Sequence, residues 1–240
     1  MIKAGEELIT LTDPNAPASE AYRALRTNIM MRNFDREMQV INVISCTKEE
    51  GKSTCVLNLA VVYAQLQKKV LVIDLDLRLP SIHKKLKIKN RKGITDLISK
   101  QVSFEEAVQT PIDNIDVITA GTKTPFASEF LQSHALQQFI KSKRSSYDLI
   151  LLDCAPIGLV TDGMIVSKMC DGTVFVVSSN VNERKDLVRA KEELEQMEVN
   201  VIGLVMTQMP TENRYYRYYG NYGSAKTHGH KKSFFRKEKK

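Results

Sequence analysis

Five short runs in this 240-residue chain are almost continuously apolar: QVINVIS (39–45), KVLVID (69–74), DLILLD (148–153), TVFVVS (173–178) and NVIGLVM (200–206). A strand with one face in water alternates apolar and polar residues, whereas a strand covered on both faces does not. These runs therefore predict buried strands, with a sixth at Ile115–Ala120. Helical patterns separate them, over Ser19–Arg32 (with Ser19 as the capping residue), Lys52–Gln67, Ser128–Ser142, Thr161–Met169 and Asn182–Met197. Shorter helical pieces lie around Ile82–Leu86, Gly93–Ile98 and Phe104–Val108. Strands alternating with helices predict an α/β domain: a mostly parallel sheet with helices on both faces.

The length suits one such domain with short appendages, and 42% hydrophobic residues exclude a mainly disordered chain. Residues 1–17, with Pro14 and Pro17, read as an N-terminal arm, 18–209 as the domain, and 210–240 as a tail. Nothing approaches 18 consecutive apolar residues, and Met1–Thr12, carrying Lys3, Glu6 and Glu7, lacks a signal-peptide core. The expectation is a cytoplasmic chain. Cys46, Cys55, Cys154 and Cys170 lie in apolar segments without zinc-type spacing and read as reduced, buried thiols. His83, His134, His228 and His230 show no metal-ligand spacing either. The net charge is +7, and Lys226–Lys240 alone holds seven Lys/Arg against Glu238. A basic end of this kind suits an acidic membrane surface, nucleic acid or an acidic partner.

Chemistry concentrates at the ends of three predicted strands. Ser45–Thr54, SCTKEEGKST, follows a strand and opens a helix, the setting of a phosphate loop. Backbone N–H groups across Thr47, Lys48, Glu49, Glu50 and Gly51 can cradle a polyphosphate with the helix N-terminus. Lys52 would reach the terminal phosphates, Ser53 would hold magnesium, and Thr54 would contact the phosphate nearest the nucleoside. The first glycine of the usual phosphate-loop pattern is absent, since Cys46 stands there. Leu71–Arg78, LVIDLDLR, places Asp74, Asp76 and Arg78 at and just beyond a strand end. Leu149–Pro156, LILLDCAP, ends its strand on Asp153. Acids at the carboxyl ends of parallel strands, beside a triphosphate, can hold magnesium or accept a proton. The fold expected is P-loop NTPase-like.

These three motifs, followed by a tyrosine-rich C-terminus, resemble the cytoplasmic catalytic domain of bacterial tyrosine kinases, in the Gram-positive form from capsule and exopolysaccharide gene clusters. The resemblance implies ATP and Mg2+ as cofactors and transfer of phosphate to protein tyrosine. It implies that Lys52 neutralises phosphate charge and that Ser53, Asp76 and Asp153 share the magnesium shell. Asp74 is the implied base, although Asp74 and Asp76 can exchange roles; Arg78 joins the nucleotide-binding set. The implied partners are a transmembrane activator that brings the chain to the inner face of the membrane, a cognate tyrosine phosphatase and proteins of polysaccharide synthesis, with no nucleic acid expected. The loop departs from the family at Lys48-Glu49-Glu50, where Pro-Gly-Glu is common. The alternative is a nucleotide-switched ATPase of the partitioning and cell-division type. That class carries a second lysine near the loop start, where this chain has Thr47.

Glu20, Arg23 and Arg26 form E-x-x-R-x-x-R, a spacing that keeps them on one helix stripe. In the resembled family this motif, here within residues 18–33, packs subunits into a ring. Tyr215, Tyr216, Tyr218, Tyr219 and Tyr222 are five of the chain's eight tyrosines. Interleaved with Arg214 and Arg217, they suit stacking on single-stranded nucleic acid. After a kinase domain they read instead as autophosphorylation sites, modified in trans.

Overall fold

In a computed structural model of the chain, residues 8–32, 38–180 and 184–210 are described. The strands are β1 Val40–Ser45, β2 Val70–Asp74, β3 Val108–Ile112, β4 Ile115–Ile118, β5 Leu149–Asp153, β6 Gly172–Ser178 and β7 Val201–Thr207. They form one sheet in the order β3-β4-β2-β5-β1-β6-β7. Every neighbouring pair is parallel except β3 with β4. The helices are α1 Ile9–Thr12, α2 Pro17–Arg32, α3 Lys52–Ala64, α4 Ile82–Lys85, α5 Ile94–Ile98, α6 Phe104–Ala107, α7 Ala127–Gln132, α8 His134–Lys143, α9 Asp162–Ser167 and α10 Arg184–Gln196.

The apolar strands are covered on both faces, as their sequences require. Successive side chains of a strand point to opposite faces. On one face Ile41, Val43, Val70, Val72, Leu149, Leu151, Val174 and Val176 pack with Leu8, Ile29, Ile82 and the buried side of α3. On the other, Val40, Ile44, Leu71, Ile73, Ile150, Leu152, Phe175 and Val177 meet residues of α5 to α10. Asn42 is the polar exception within β1. Its amide donates to Ser167 Oγ at 2.8 Å and accepts from Thr173 Oγ1 at 2.6 Å, so burial leaves neither end unpaired.

Several sequence expectations change. The stretch after Leu8, read as an extended arm, contains α1, and Leu8 and Thr10 are buried. The second helix starts at Pro17, whose missing N–H and fixed φ suit a first turn. Ser19 lies inside that helix rather than capping it, and its hydroxyl donates to the carbonyls of Asp13 (2.7 Å) and Ile9 (3.1 Å). The single helix expected over Ser128–Ser142 is two, because Ser133 is extended (φ −63°, ψ 136°) and its Oγ accepts from Leu136 N. Val108, expected in a helix, begins β3, an edge strand that sequence periodicity did not reveal. Pro111 fits there only because this strand is at the edge and its register shifts between Gln109 and Ile112.

The N-terminal segment is fastened chiefly through Asn58, with Gln65 Nε2 also donating to Thr10 O at 3.1 Å. Asn58 on α3 is buried, and its Oδ1 accepts from Thr10 N at 3.0 Å and Thr10 Oγ1 at 2.8 Å, while Nδ2 donates to Thr54 O at 2.9 Å. Asn58→Ala leaves the two Thr10 donors without their acceptor, a loss of about 1–3 kcal/mol. Urea unfolding monitored by circular dichroism should show that loss, with earlier proteolytic cleavage before residue 17. An unchanged midpoint and cleavage pattern would contradict this fastening.

Candidate active site

The loop between β1 and α3 is held in shape by its own buried carboxylate. Glu50 is fully buried, and its Oε1 accepts from Thr47 N and, at 2.8 Å, from Thr47 Oγ1. Its Oε2 accepts from Ser178 N at the end of β6 (3.2 Å), and its carbonyl accepts from Thr207 Oγ1 at the end of β7 (2.7 Å). Gln208 Nε2 adds a bond to Glu49 O at 2.8 Å. The neighbouring strand ends thus tie the loop down from the side, which local sequence patterns cannot reveal. Gly51 at φ 90° occupies the left-handed region that favours glycine, and Glu49 joins it at φ 65°.

Cys46, at the position of the absent first glycine, is closely approached by another glycine. Gly158 N donates to Cys46 O at 2.9 Å, and a Cβ on Gly158 would stand 2.6 Å from that oxygen. The close approach is therefore provided by a glycine on the segment after β5. Cys46 can keep its side chain, which is buried with Sγ 3.5 Å from Asp186 O. Lys52, Ser53 and Thr54 follow in the first turn of α3, and Lys52 is largely buried. The Ser53 hydroxyl is met at 2.7 Å by Ser81 Oγ, a contact between segments far apart in sequence.

Asp74 and Asp153 are the last residues of adjacent strands and pair in register. Parallel strands lie about 4.8 Å apart, so two fully buried carboxyls stand side by side. Asp74 is well supported: Oδ2 accepts from Ser81 N and Ile82 N, both at 3.1 Å, and Oδ1 from Asp76 N at 3.2 Å. Burial nonetheless raises its pKa well above the usual carboxylate range, and the charge of Asp153 adds to the rise. Neither carboxylate oxygen of Asp153 has a hydrogen-bond partner. Burial pushes its carboxyl up to about 6, opposed by the charge of Lys52 and the nearby Ser53 hydroxyl. Asp76 is less enclosed, with Oδ1 accepting from Leu79 N at 3.0 Å.

A buried carboxylate beside a lysine and a serine hydroxyl has the donor chemistry that suits a cation. Among the described residues no three acidic, histidine or cysteine side chains converge as a ready-made metal site. Magnesium typically takes one or two carboxylates and completes its shell with water and phosphate oxygens. The residues fit that ion in the company of a polyphosphate on the loop.

The other expected residues are placed as follows. Lys48 and Glu49 are exposed at the loop tip and Thr47 is half-buried. Arg78 turns to Asp162 rather than to the loop: Nε donates to Oδ2 at 2.7 Å, and Nη2 to Oδ1 at 3.2 Å and to Ser128 Oγ at 3.1 Å. Arg23 pairs with Glu20 at 2.7 Å and donates to Pro14 O at 2.8 Å on the exposed side of α2. Arg26 faces inward and donates to Val62 O, near the C-terminus of α3, at 2.7 Å. Tyr215, Tyr216, Tyr218, Tyr219 and Tyr222 lie outside the described residues. Sequence reasoning missed Ser81, Ser128, Asp162, Ser178, Thr207 and Gln208. Only Asp162 carried a local signal, as an acid opening a helix.

The chain matches the AAA_31 family of AAA domains over residues 38–179. It is 37% identical to tyrosine-protein kinase YwqD of Bacillus subtilis over 215 residues, covering 89% of this chain and 91% of that protein. It is 33% identical to tyrosine-protein kinase CpsD of Streptococcus pneumoniae over 211 residues, covering 86% and 92%. Among solved structures, the chimerical protein CapA2B2 superposes with TM-score 0.82 and 32% identity, covering 87% of this chain and 92% of that one. The septum site-determining protein MinD of Pyrococcus horikoshii, complexed with Mg-ADP, is similar at TM-score 0.59 and 22% identity over 70% of each chain, a likeness of fold alone. Among the described residues no helix is long and apolar enough to cross a membrane. With its nucleotide-type loop and strand-end acids set on this P-loop α/β sheet, the chain belongs to the bacterial tyrosine-protein kinase family.

Proposed function

We propose that the chain transfers the γ-phosphate of ATP, with Mg2+, to tyrosine hydroxyls, those of its own tail among them. The observation that carries this reading is the pair of unpartnered Asp153 oxygens beside Lys52 and Ser53. Bound magnesium and nucleotide would supply the transferable phosphoryl group and the counter-charge for it. Lys52 holds negative charge on the phosphates, and the loop N–H groups orient them. Ser53, Asp76 and Asp153 are the residues that would hold the cation. The raised pKa of Asp74 supports it as proton acceptor, since a base nearer neutrality takes a phenolic proton more readily. Asp76, being less enclosed, is the other candidate. The nucleotide-switch alternative is disfavoured at Thr47, whose N–H and hydroxyl are bound to Glu50 where that class has a lysine.

Four roles rest on family resemblance: tail modification in trans at Tyr215, Tyr216, Tyr218, Tyr219 and Tyr222, a transmembrane activator that recruits the chain to the membrane's inner face, a cognate phosphatase, and regulation of capsule or exopolysaccharide synthesis. Assembly into a ring through Glu20, Arg23 and Arg26 of the E-x-x-R-x-x-R motif also rests on that resemblance. Within the chain Glu20 and Arg23 pair with each other on the exposed side of α2, whereas Arg26 reaches to α3.

Lys52→Met should fold and lose nearly all tyrosine phosphorylation with ATP and magnesium, read by anti-phosphotyrosine signal and tail mass spectrometry. A wild-type rate would overturn the phosphate-loop assignment. For Asp153 the pH dependence has a definite sign. A carboxyl raised to about 6 in the fold and near 4 when unfolded favours the fold below the lower value. That advantage is lost as pH rises through about 6. Without nucleotide, Asp153→Asn should stabilise the protein at pH 7.5 by roughly 1–3 kcal/mol, with little gain at pH 4, while abolishing transfer. Equal effects on thermal unfolding at both pH values would contradict the buried-charge account. Finally, Glu20→Ala with Arg23→Ala should shift sedimentation toward monomer at unchanged stability. Arg26→Ala should instead lower stability by about 1–2 kcal/mol; stability loss confined to the double variant would reverse this division.

A further inference from the structure

The sheet ends in two different ways. β3 is a poor pairing surface, since Pro111 lacks an N–H and the register shifts between Gln109 and Ile112. β7, the other terminal strand, has a neighbour on one side only among the described residues. Val201–Thr207 holds no charge and no proline, and after a shift at its start it runs regularly against β6 from Gly203 to Thr207. Its apolar side chains are not all covered: Val201 is 40% exposed, Leu204 59% and Met206 52%. Leu204 and Met206 are the register partners of Phe175 and Val177, so they share their face of the sheet. That is the face on which α10 packs, through Leu187, Ala190 and Leu194.

The two flanks of α10 differ. Asp186, Arg189 and Glu193 lie toward Cys46, which follows β1: its thiol feels their charges, and its Sγ is 3.5 Å from Asp186 O. The strand order β1-β6-β7 makes this the inner flank. Helical spacing then puts Val188, Lys191 and Glu195 on the outer flank, toward the open edge. Val188 is 47% exposed, and Lys191 Nζ lies 3.3 Å from Glu195 Oε1, both side chains exposed. An uncharged edge, an uncovered apolar strip and two opposite charges one turn apart make a surface complementary to itself. We infer that this edge joins two copies of the chain, β7 pairing antiparallel with the same strand of a second copy about a twofold axis normal to the sheet. That operation keeps both α10 helices on one face and runs them in opposite directions. Lys191 then meets Glu195 of the partner subunit, and Val188, Leu204 and Met206 are covered between the helices. Parallel pairing of two identical edges would put the helices on opposite faces and leave both strips open. The contact is distinct from the one proposed for α2, which packs with α3 on the other face of the sheet.

Every protein in the test is the full chain carrying Glu20→Ala and Arg23→Ala, which removes the proposed α2 contact. Sedimentation velocity over a concentration series should show a monomer–dimer equilibrium. Lys191→Glu and Glu195→Lys should each weaken dimerisation about tenfold, because every change acts twice across a twofold contact. The two changes together should restore it. Leu204→Lys with Met206→Lys should leave monomer alone, and far-ultraviolet circular dichroism should be the same in all of these proteins. Hydrogen–deuterium exchange at residues 201–207 should slow as concentration rises, except in the Leu204→Lys, Met206→Lys protein. A chain that stays monomeric at every concentration overturns the inference. So does a dimer indifferent to these changes, or a double charge variant no better than the single ones. Protection at 201–207 that is independent of concentration also overturns it, and would assign the strip to an occupant within the same chain.

Discussion

Two carboxyls buried side by side at the end of a parallel sheet set the terms for the rest of the site. Asp74 and Asp153 are in-register neighbours with no solvent contact, and burial raises the pKa of both. The two are not equivalent. Three backbone N–H groups hold Asp74 and fix the turn that carries Ser81 and Ile82. Asp153 has none, and Lys52, the Ser53 hydroxyl and Lys85 oppose the rise in its pKa; on the proposed reading a cation adds to them. An unsatisfied buried carboxyl costs stability. On the proposed reading, binding of a cation at the mouth of the phosphate loop relieves it. Strain of this kind converts part of the binding energy into placement of the cation against the phosphates.

The same logic explains why the loop is fastened from outside. A phosphate loop works by presenting N–H groups in a fixed array, and this one lacks its first glycine. Glu50 replaces local flexibility with tertiary bonds. It draws Thr47 inward and anchors to the ends of β6 and β7 through Ser178 and Thr207. Gly158 lets the segment after β5 press against Cys46. The loop's geometry is thus a property of four strands, and its sequence alone understates how well it is determined.

That distinction separates what was legible from what was not. The α/β class and the parallel sheet were readable because burial on both faces leaves a direct trace, as in LILLD and VFVVS. The strand-end acids were readable because strand ends are where the pattern stops, and Asp74, Asp76 and Asp153 stand there. Helix breaks were less legible: Ser133 ends one helix and starts another in a segment whose apolar spacing continues across it. The edge strand β3 was hidden because its half-exposed residues, with Pro111, resemble a loop. Arg78 joins the nucleotide-binding set through the family resemblance. Its actual partner, Asp162, is 84 residues away, and no local pattern reports such a pair. Arg26 shows the same limit, since helical spacing puts it on a stripe with Glu20 and Arg23 but cannot tell which edge of the stripe is covered by α3.

Charge distribution adds the last element of the proposed reaction. Residues 211–240 carry nine Lys/Arg against two Glu, a net of +7, which is the whole formal charge of the chain. Residues 1–210 are therefore neutral overall, and attraction between copies depends on this segment and on local acids rather than on a global field. Each phosphotyrosine adds roughly −1.5 to −2 near neutral pH. Five would add about −8 to −10 by the same rule, enough to reverse the segment's sign. On the proposed reading, an unmodified segment is drawn toward Asp74, Asp76 and Asp153, and a modified one is repelled by them. On that reading the acids release the segment after transfer, and product departure follows from the same carboxylates that make the site receptive to a cation.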